Sequence, residues 1–242
     1  MGDGTRSQGT ANARTLHRVE DCVLSELDGL IVTNKPAGLP STGRDLDDPE
    51  CLQHSLITHY RRMIWAIHQL DAGTSGLNLF VRRKNLVPHW HNRLGEDATA
   101  KVYLALCHGQ PTFEQTRVDL PIRKGHFGGE WKVQIHKSGR PARTDVEVLA
   151  SSDRAFLAAV QLHTGRTHQI RLHMRSLGHT LVGEPFYRDP PCTLMERQAL
   201  HCWRISFQGG PSLSAPIPKD ILDCANALGV PTAGVTEMAV TP

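Results

Sequence analysis

The chain has 242 residues, 39% hydrophobic and 21% charged, ordinary proportions for a globular protein and enough length for one large domain or two small ones. No apolar run approaches the roughly 20 residues needed to span a bilayer, so no membrane helix is expected. A net charge of +3 does not demand a nucleic-acid partner, although local clustering of basic residues can still provide a surface for one.

Residues 1–18 are poor in hydrophobics, rich in Gly, Ser, Thr and Arg, and lack the apolar core of a secretory signal, so a disordered tail is expected there. The run 30–32 in "GLIVTNKPAGLPST" reads as a strand that ends at Asn-Lys-Pro and Gly-Leu-Pro breakers. "DDPECLQHSLITHYRRM" reads as a helix with Asp48 as N-cap, Pro49 at the first helical position and Glu50 at the positive helix start. Its apolar stripe is Leu52, Leu56, Tyr60 and Met63. "IWAI" and "LNLFVRR" read as strands on either side of a glycine-containing turn. "NLVPHWHNRLG" reads as a short helix presenting Leu86, Trp90 and Leu94, with Gly95 as its stop. Pro88 is tolerable there only in the first turn.

"AKVYLALCHG" alternates, with Val102, Leu104 and Leu106 on one face and Lys101, Tyr103, Ala105 and Cys107 on the other. Several strand-like runs follow from 117 to 162, including "TDVEVLA" and "AFLAAVQL". "THQIRLHMRSLG" reads as a helix striped by Ile170, Met174 and Leu177 and ended by Gly178. "RQALHCWRISF" returns as a strand, and residues 233–242 read as a frayed tail. Residues 19–232 are therefore expected to form one domain. Short strands with a few helices, and no regular βα alternation, favour an α+β fold with a mixed, mainly antiparallel sheet. The cysteines Cys22, Cys51, Cys107, Cys192, Cys202 and Cys224 are scattered, none in C-x-x-C, so reduced thiols in the cytoplasm are expected.

Three stretches can carry chemistry. "HQLDAGTSGL" seats Asp71 in a turn where Gly73 and Gly76 permit close backbone approach. Alone, it reads more readily as an Asx-turn, with Thr74 and Ser75 in the same role. "HTGRTHQIRLHMRSLGH" holds three arginines, four histidines and no acid. Arg171 and Arg175 lie four apart on one helix face and Arg166 precedes the helix start, an arrangement suited to a phosphate-rich ligand as much as to a solvated basic face. His163, His168 and His173 recur every five residues, which does not align two ligands on a helix as a four-residue spacing does, so hydrogen-bonded structural histidines are expected rather than a metal site. In the third stretch, Tyr103 and Lys101 share a strand face, where an aromatic ring can stack on a base.

In this order, the three stretches closely resemble the RluA-type family of RNA pseudouridine synthases, with the H-Q-L-D variant of its aspartate motif. "VTNKPAGLP", "GRPARTDVEVL" and "RQALHCWRISF" are similar to further strands of that family, and the resemblance covers roughly residues 24 to 208. It implies a mainly antiparallel sheet in two halves, peripheral helices and a central RNA-binding cleft. It further implies isomerisation of a uridine in structured RNA, rRNA or tRNA, by a cofactor-free and metal-free monomer. Asp71 matches the essential aspartate, Tyr103 the tyrosine against the target uracil, Arg166 the basic partner of the aspartate, and Ile170 the wall of the uracil pocket. Gln69, Thr74, Lys101, Arg171 and Arg175 join Ile170 as expected substrate-binding residues. Gln69 stands where most members carry an arginine proposed to assist base flipping, and a neutral amide cannot pair with phosphate as a cation does. Arg62 is a candidate replacement by proximity. Too little chain precedes residue 24 for the small basic domain many relatives carry, so substrate choice is expected to rest on the catalytic domain or a partner.

Overall fold

The computed structural model describes residues 19–45, 48–188, 190 and 192–240; the expected tail at 1–18 lies outside them. In chain order the elements are α1 (Val19–Cys22), β1 (Val23–Leu27), β2 (Leu30–Lys35), α2 (Leu52–Tyr60), β3 (Trp65–Ala66), β4 (Ser75–Val81), α3 (Val87–Gly95) and β5 (Ala100–His108). There follow β6 (Gln115–Asp119), β7 (Ile122–Phe127), β8 (Glu130–Ile135), β9 (Arg143–Ser151), β10 (Ala155–Leu162), α4 (Gln169–Ser176), β11 (Leu200–Ser206), β12 (Ser212–Ser214), α5 (Lys219–Ala227) and α6 (Ala233–Val240).

The fold is α+β, as the mixture of short strands implied. The main sheet runs β1-β2-β4-β11-β5-β10-β9-β6, with β3 added to β4 and β12 to β11. Its two halves, one from the chain before residue 82 and one from the chain after residue 99, meet at β4 and β11. That junction is parallel and short, pairing His201 with Ser75 and Cys202 with Gly76; the other ladders among the described residues are antiparallel. Strands β7 and β8 form a separate two-stranded hairpin.

Both sheet faces are covered, which explains why β4 is buried along its whole length. On one face Trp90 and Leu94 of α3 and Ile170 and Met174 of α4 pack on Leu77, Leu79, Tyr103 and Val160. On the other, Leu52 and Leu56 of α2 meet Ile31 and Phe80, while Ile221 and Ala225 of α5 meet Leu104, Leu106 and Trp203. The alternation in β5 thus separates two cores rather than core from solvent.

Three local expectations need correction. Helix α2 is capped by Cys51, whose Sγ accepts from the His54 N–H at 3.4 Å. Asp48 instead spends its carboxylate on the Arg44 and Glu50 N–H groups, both at 3.0 Å, which holds the preceding loop. Arg61 then turns left-handed (φ 49°) and ends the helix, leaving Met63 out of the apolar stripe and exposed. The second correction is at the C-terminus. Residues 233–240, expected as a frayed tail, form α6, because Val235 is apolar enough to dock in the α5 core. Gly95 is the last residue of α3 rather than a left-handed stop, whereas Gly178 does take φ +85° just beyond α4.

Candidate active site

Asp71 sits in the loop that leads into β4, and that loop is tied down from several sides. The Thr74 N–H closes the turn onto Asp71 O at 2.9 Å. Ser41 Oγ accepts from the Leu70 N–H at 2.9 Å. Lys35, fully buried at the end of β2, donates from Nζ to Pro36 O, Leu39 O and Ala72 O at 2.9, 2.6 and 3.1 Å. Burial pulls its ammonium pKa down to about 7, and the nearby Arg197 adds to the effect. Arg197 donates to Gly73 O at 3.3 Å, and Gln198 Nε2 donates to the hydroxyl of buried Thr74 at 3.2 Å. Gly76, at φ +105°, lies so close to the Cys202 backbone that a Cβ would collide with it. Gly76 is therefore required by the strand junction.

From the opposite half, α4 brings Arg171 to Asp71. Its Nη1 donates to Asp71 Oδ2 at 3.1 Å. Nε and Nη2 form a two-point pair with Glu184, at 2.9 and 2.6 Å, with Arg171 and Glu184 both buried. Burial disfavours the guanidinium charge, but Glu184 and Asp71 outweigh it, and the pKa stands above the ordinary arginine value. The rings of Phe186 and Tyr187 lie 5.3 and 5.1 Å from the guanidinium carbon. This corrects the expected pairing: Arg166, proposed as the partner of Asp71, donates Nε to Pro141 O at 3.0 Å and occupies the rim. Arg171 is likewise not part of an exposed basic face. Its i+4 neighbour Arg175 is exposed but lies outside the cleft lining.

The cleft between the two halves has a volume of about 790 Å³, within the usual range for ligand sites. Asp71, Tyr103, Leu162, Ile170 and Leu200 contribute to its walls, with Gln69, Lys101, Lys124 and Arg166 also lining it. The Tyr103 phenol is nearly buried, and burial raises its pKa well above the usual value, so the hydroxyl keeps its proton. Gln69 Nε2 donates to Thr42 Oγ1 at 2.9 Å, and Lys101 Nζ donates to Leu94 O at 2.7 Å. Arg62 does not line the cleft. The loop before α4 is shaped by Gln169, whose amide makes four hydrogen bonds, to Thr164 Oγ1, the Arg166 N–H, Arg143 O and Thr144 Oγ1.

The histidines of the basic stretch point to different partners. His163 Nε2 meets Asp145 at 2.8 Å, His173 lies between Thr144 Oγ1 and Leu120 O, and His168 Nδ1 meets the Tyr187 hydroxyl at 2.6 Å. Lys35, Lys124, Glu184 and Tyr187 escaped the sequence reasoning. For Glu184 a signal existed: it is the first acid after a stretch of arginines and histidines, and a buried arginine needs a counter-charge.

Residues 29–176 match the family described as RNA pseudouridylate synthase. The chain is 33% identical over 234 residues to a ribosomal large subunit pseudouridine synthase D of Neisseria meningitidis, a match covering 85% of this chain and 60% of that protein. It is 30% identical over 206 residues to a dual-specificity RNA pseudouridine synthase RluA of Escherichia coli, covering 82% and 93%. Among solved structures, Human RNA Pseudouridylate Synthase Domain Containing 4 superposes with a TM-score of 0.73 at 22% identity, covering 88% of this chain and 95% of that one.

Proposed function

The chain belongs to the RNA pseudouridylate synthase family, and from that premise we propose that it converts uridine to pseudouridine in RNA with Asp71 as the essential carboxylate. The observation that carries this reading is the setting of Asp71. Arg171 engages Oδ2, and His168 Nε2 approaches the same oxygen at 3.8 Å, which leaves Oδ1 for a substrate in the cleft.

The reaction breaks the N1–C1′ bond, with the bonding pair leaving on the uracil. The ionised carboxylate attacks C1′ or stabilises the cationic sugar. The uracil turns, C5 bonds to C1′, the proton on C5 is lost and N1 gains one. Atoms and electrons balance within the nucleotide, so neither an oxidant nor an energy donor enters. Tyr103, protonated and facing the cleft, supports the uracil ring, and Ile170 bounds its pocket. The target base must leave its stack to reach Asp71. With Gln69 neutral and Arg62 away from the cleft, Lys124 and Arg166 are the lining cations best placed to hold the displaced strand. The chain covers 60% of the N. meningitidis relative's length, and that protein's name specifies the ribosomal large subunit. Ribosomal RNA or tRNA is the substrate class we assign here.

The test incubates the purified chain with total RNA and quantifies pseudouridine by mass spectrometry, then compares Asp71→Asn. We expect the variant to lose at least a thousandfold in rate with an unchanged melting temperature. Pseudouridine formed by Asp71→Asn at the wild-type rate would sink the proposal.

A further inference from the structure

The β7–β8 hairpin stands apart from the main sheet yet is mechanically close to the cleft. Ile122 at its base packs with Ala142 and Leu172 of α4, and Val133, Ile135 and Tyr187 pack around them. It carries Arg123, Lys124, His126 and Lys132 against one acid, Glu130, and exposes Trp131 with Lys124 Nζ 5.8 Å from the indole ring. Lys124 also lines the cleft. A nucleic acid bound in the cleft would therefore load this hairpin.

Tyr187 stands between the hairpin and the site. Its hydroxyl lies 2.6 Å from His168 Nδ1 and 3.3 Å from Val133 O of β8. His168 in turn holds Nε2 3.8 Å from Asp71 Oδ2. His168 adopts a left-handed conformation (φ 54°, ψ 24°), and it is the one non-glycine residue with positive φ that lines the cleft among the described residues. Such a conformation is strained for a residue with a side chain and persists where the surroundings enforce it, typically at functional sites.

Resting on the isomerase reading above, we propose that Tyr187 and His168 form a positioning relay that orients the Asp71 carboxylate and couples it to the seating of the β7–β8 hairpin. The proton count shows how. A neutral imidazole has one N–H. When the Tyr187 hydroxyl donates to Nδ1, that N–H sits on Nε2 and faces Asp71. Val133 O competes for the same hydroxyl proton. A shift of β8 that draws the hydroxyl away frees the imidazole to turn a lone pair toward the carboxylate instead. The charged groups around His168 are Asp71, Arg171, Glu184 and Lys124. Burial first, then Glu184 and Asp71 against the opposing arginines, pushes the Tyr187 phenol up to about 12, so its proton is available to donate at neutral pH.

Two measurements on the full chain test the relay. Nitrogen-15 shifts of labelled histidine should show His168 as the Nε2–H tautomer in the wild type, moving to a mixture in Tyr187→Phe; an Nδ1–H tautomer in the wild type overturns the relay. On the RNA that the wild type modifies, Tyr187→Phe should lower kcat about tenfold with KM within twofold. His168→Asn, which tolerates the left-handed backbone but has no Nε2, should do the same. The double variant should be no worse than either alone, as expected for residues acting as one unit. An unchanged kcat, a loss confined to KM, or additive losses would each refute the coupling. If the wild type made no pseudouridine the isomerase reading would fall, and the imidazole spectrum would still decide the relay.

Discussion

Arg171 holds two carboxylates at once, one buried and one facing the cleft, and the two tasks separate in their consequences. Replacing it with glutamine leaves Glu184 buried without its cation. We expect Arg171→Gln to lower stability by roughly 3–5 kcal/mol in urea unfolding, the usual cost of stranding one partner of a buried pair, and to abolish isomerisation. Arg166→Ala removes a rim side chain bonded to one carbonyl. Its melting temperature should stay within a few degrees and its kcat should hold, while KM for RNA rises several-fold. If the two variants behaved alike, the division between partner and rim would be wrong. The sequence shows both arginines but not this division. Spacing places Arg171 and Arg175 on one helix face; it does not reveal that the helix sinks until only Arg175 stays in solvent.

The loop before β4 owes its shape to neighbours remote in sequence, and Lys35 is the most telling of them. Its folded-state pKa of about 7 lies below the roughly 10.4 of an unfolded lysine. Between these pH values the unfolded chain binds a proton that the folded chain does not. Stability linked to this group therefore rises as pH goes from 7 toward 10 and is lost as pH falls through 7. In urea unfolding, the wild type should gain on Lys35→Met between pH 6 and pH 10. A constant difference would mean that Lys35 titrates normally. At this scale the strands were legible, since β10 coincides with the run "AFLAAVQL" and β4 begins two residues before the expected "LNLFVRR". The cap of α2 was not, because Asp48 and Cys51 compete for one turn and only the loop geometry decides between them. The independence of the β7–β8 hairpin was also hidden, since alternation marks a strand without naming its partner.

For the whole molecule, charge is modest and local. Lys101, Lys124 and Arg166 line the cleft, while Arg171 is already paired. If about three phosphates are neutralised there, the logarithm of RNA affinity should fall with the logarithm of salt at a slope of about −2, the single-strand expectation. Filter binding across a salt series measures it, and a slope steeper than about −5 would place most of the binding surface elsewhere. The α+β class and the mainly antiparallel sheet followed from the order of strands and helices. The meeting of the halves did not, because the β4–β11 ladder spans only two residue pairs and leaves no periodic trace.

That ladder bears on when the protein becomes competent. Ser75 Oγ and His201 Nδ1 meet at 2.9 Å across 126 positions of sequence. On a ribosome, Asp71 emerges long before the strand that braces its loop. The aspartate therefore stays unbraced until a stretch longer than half of the 242-residue chain has followed it. A nascent chain that stops short of β11 carries Asp71 without the junction that holds its loop in place.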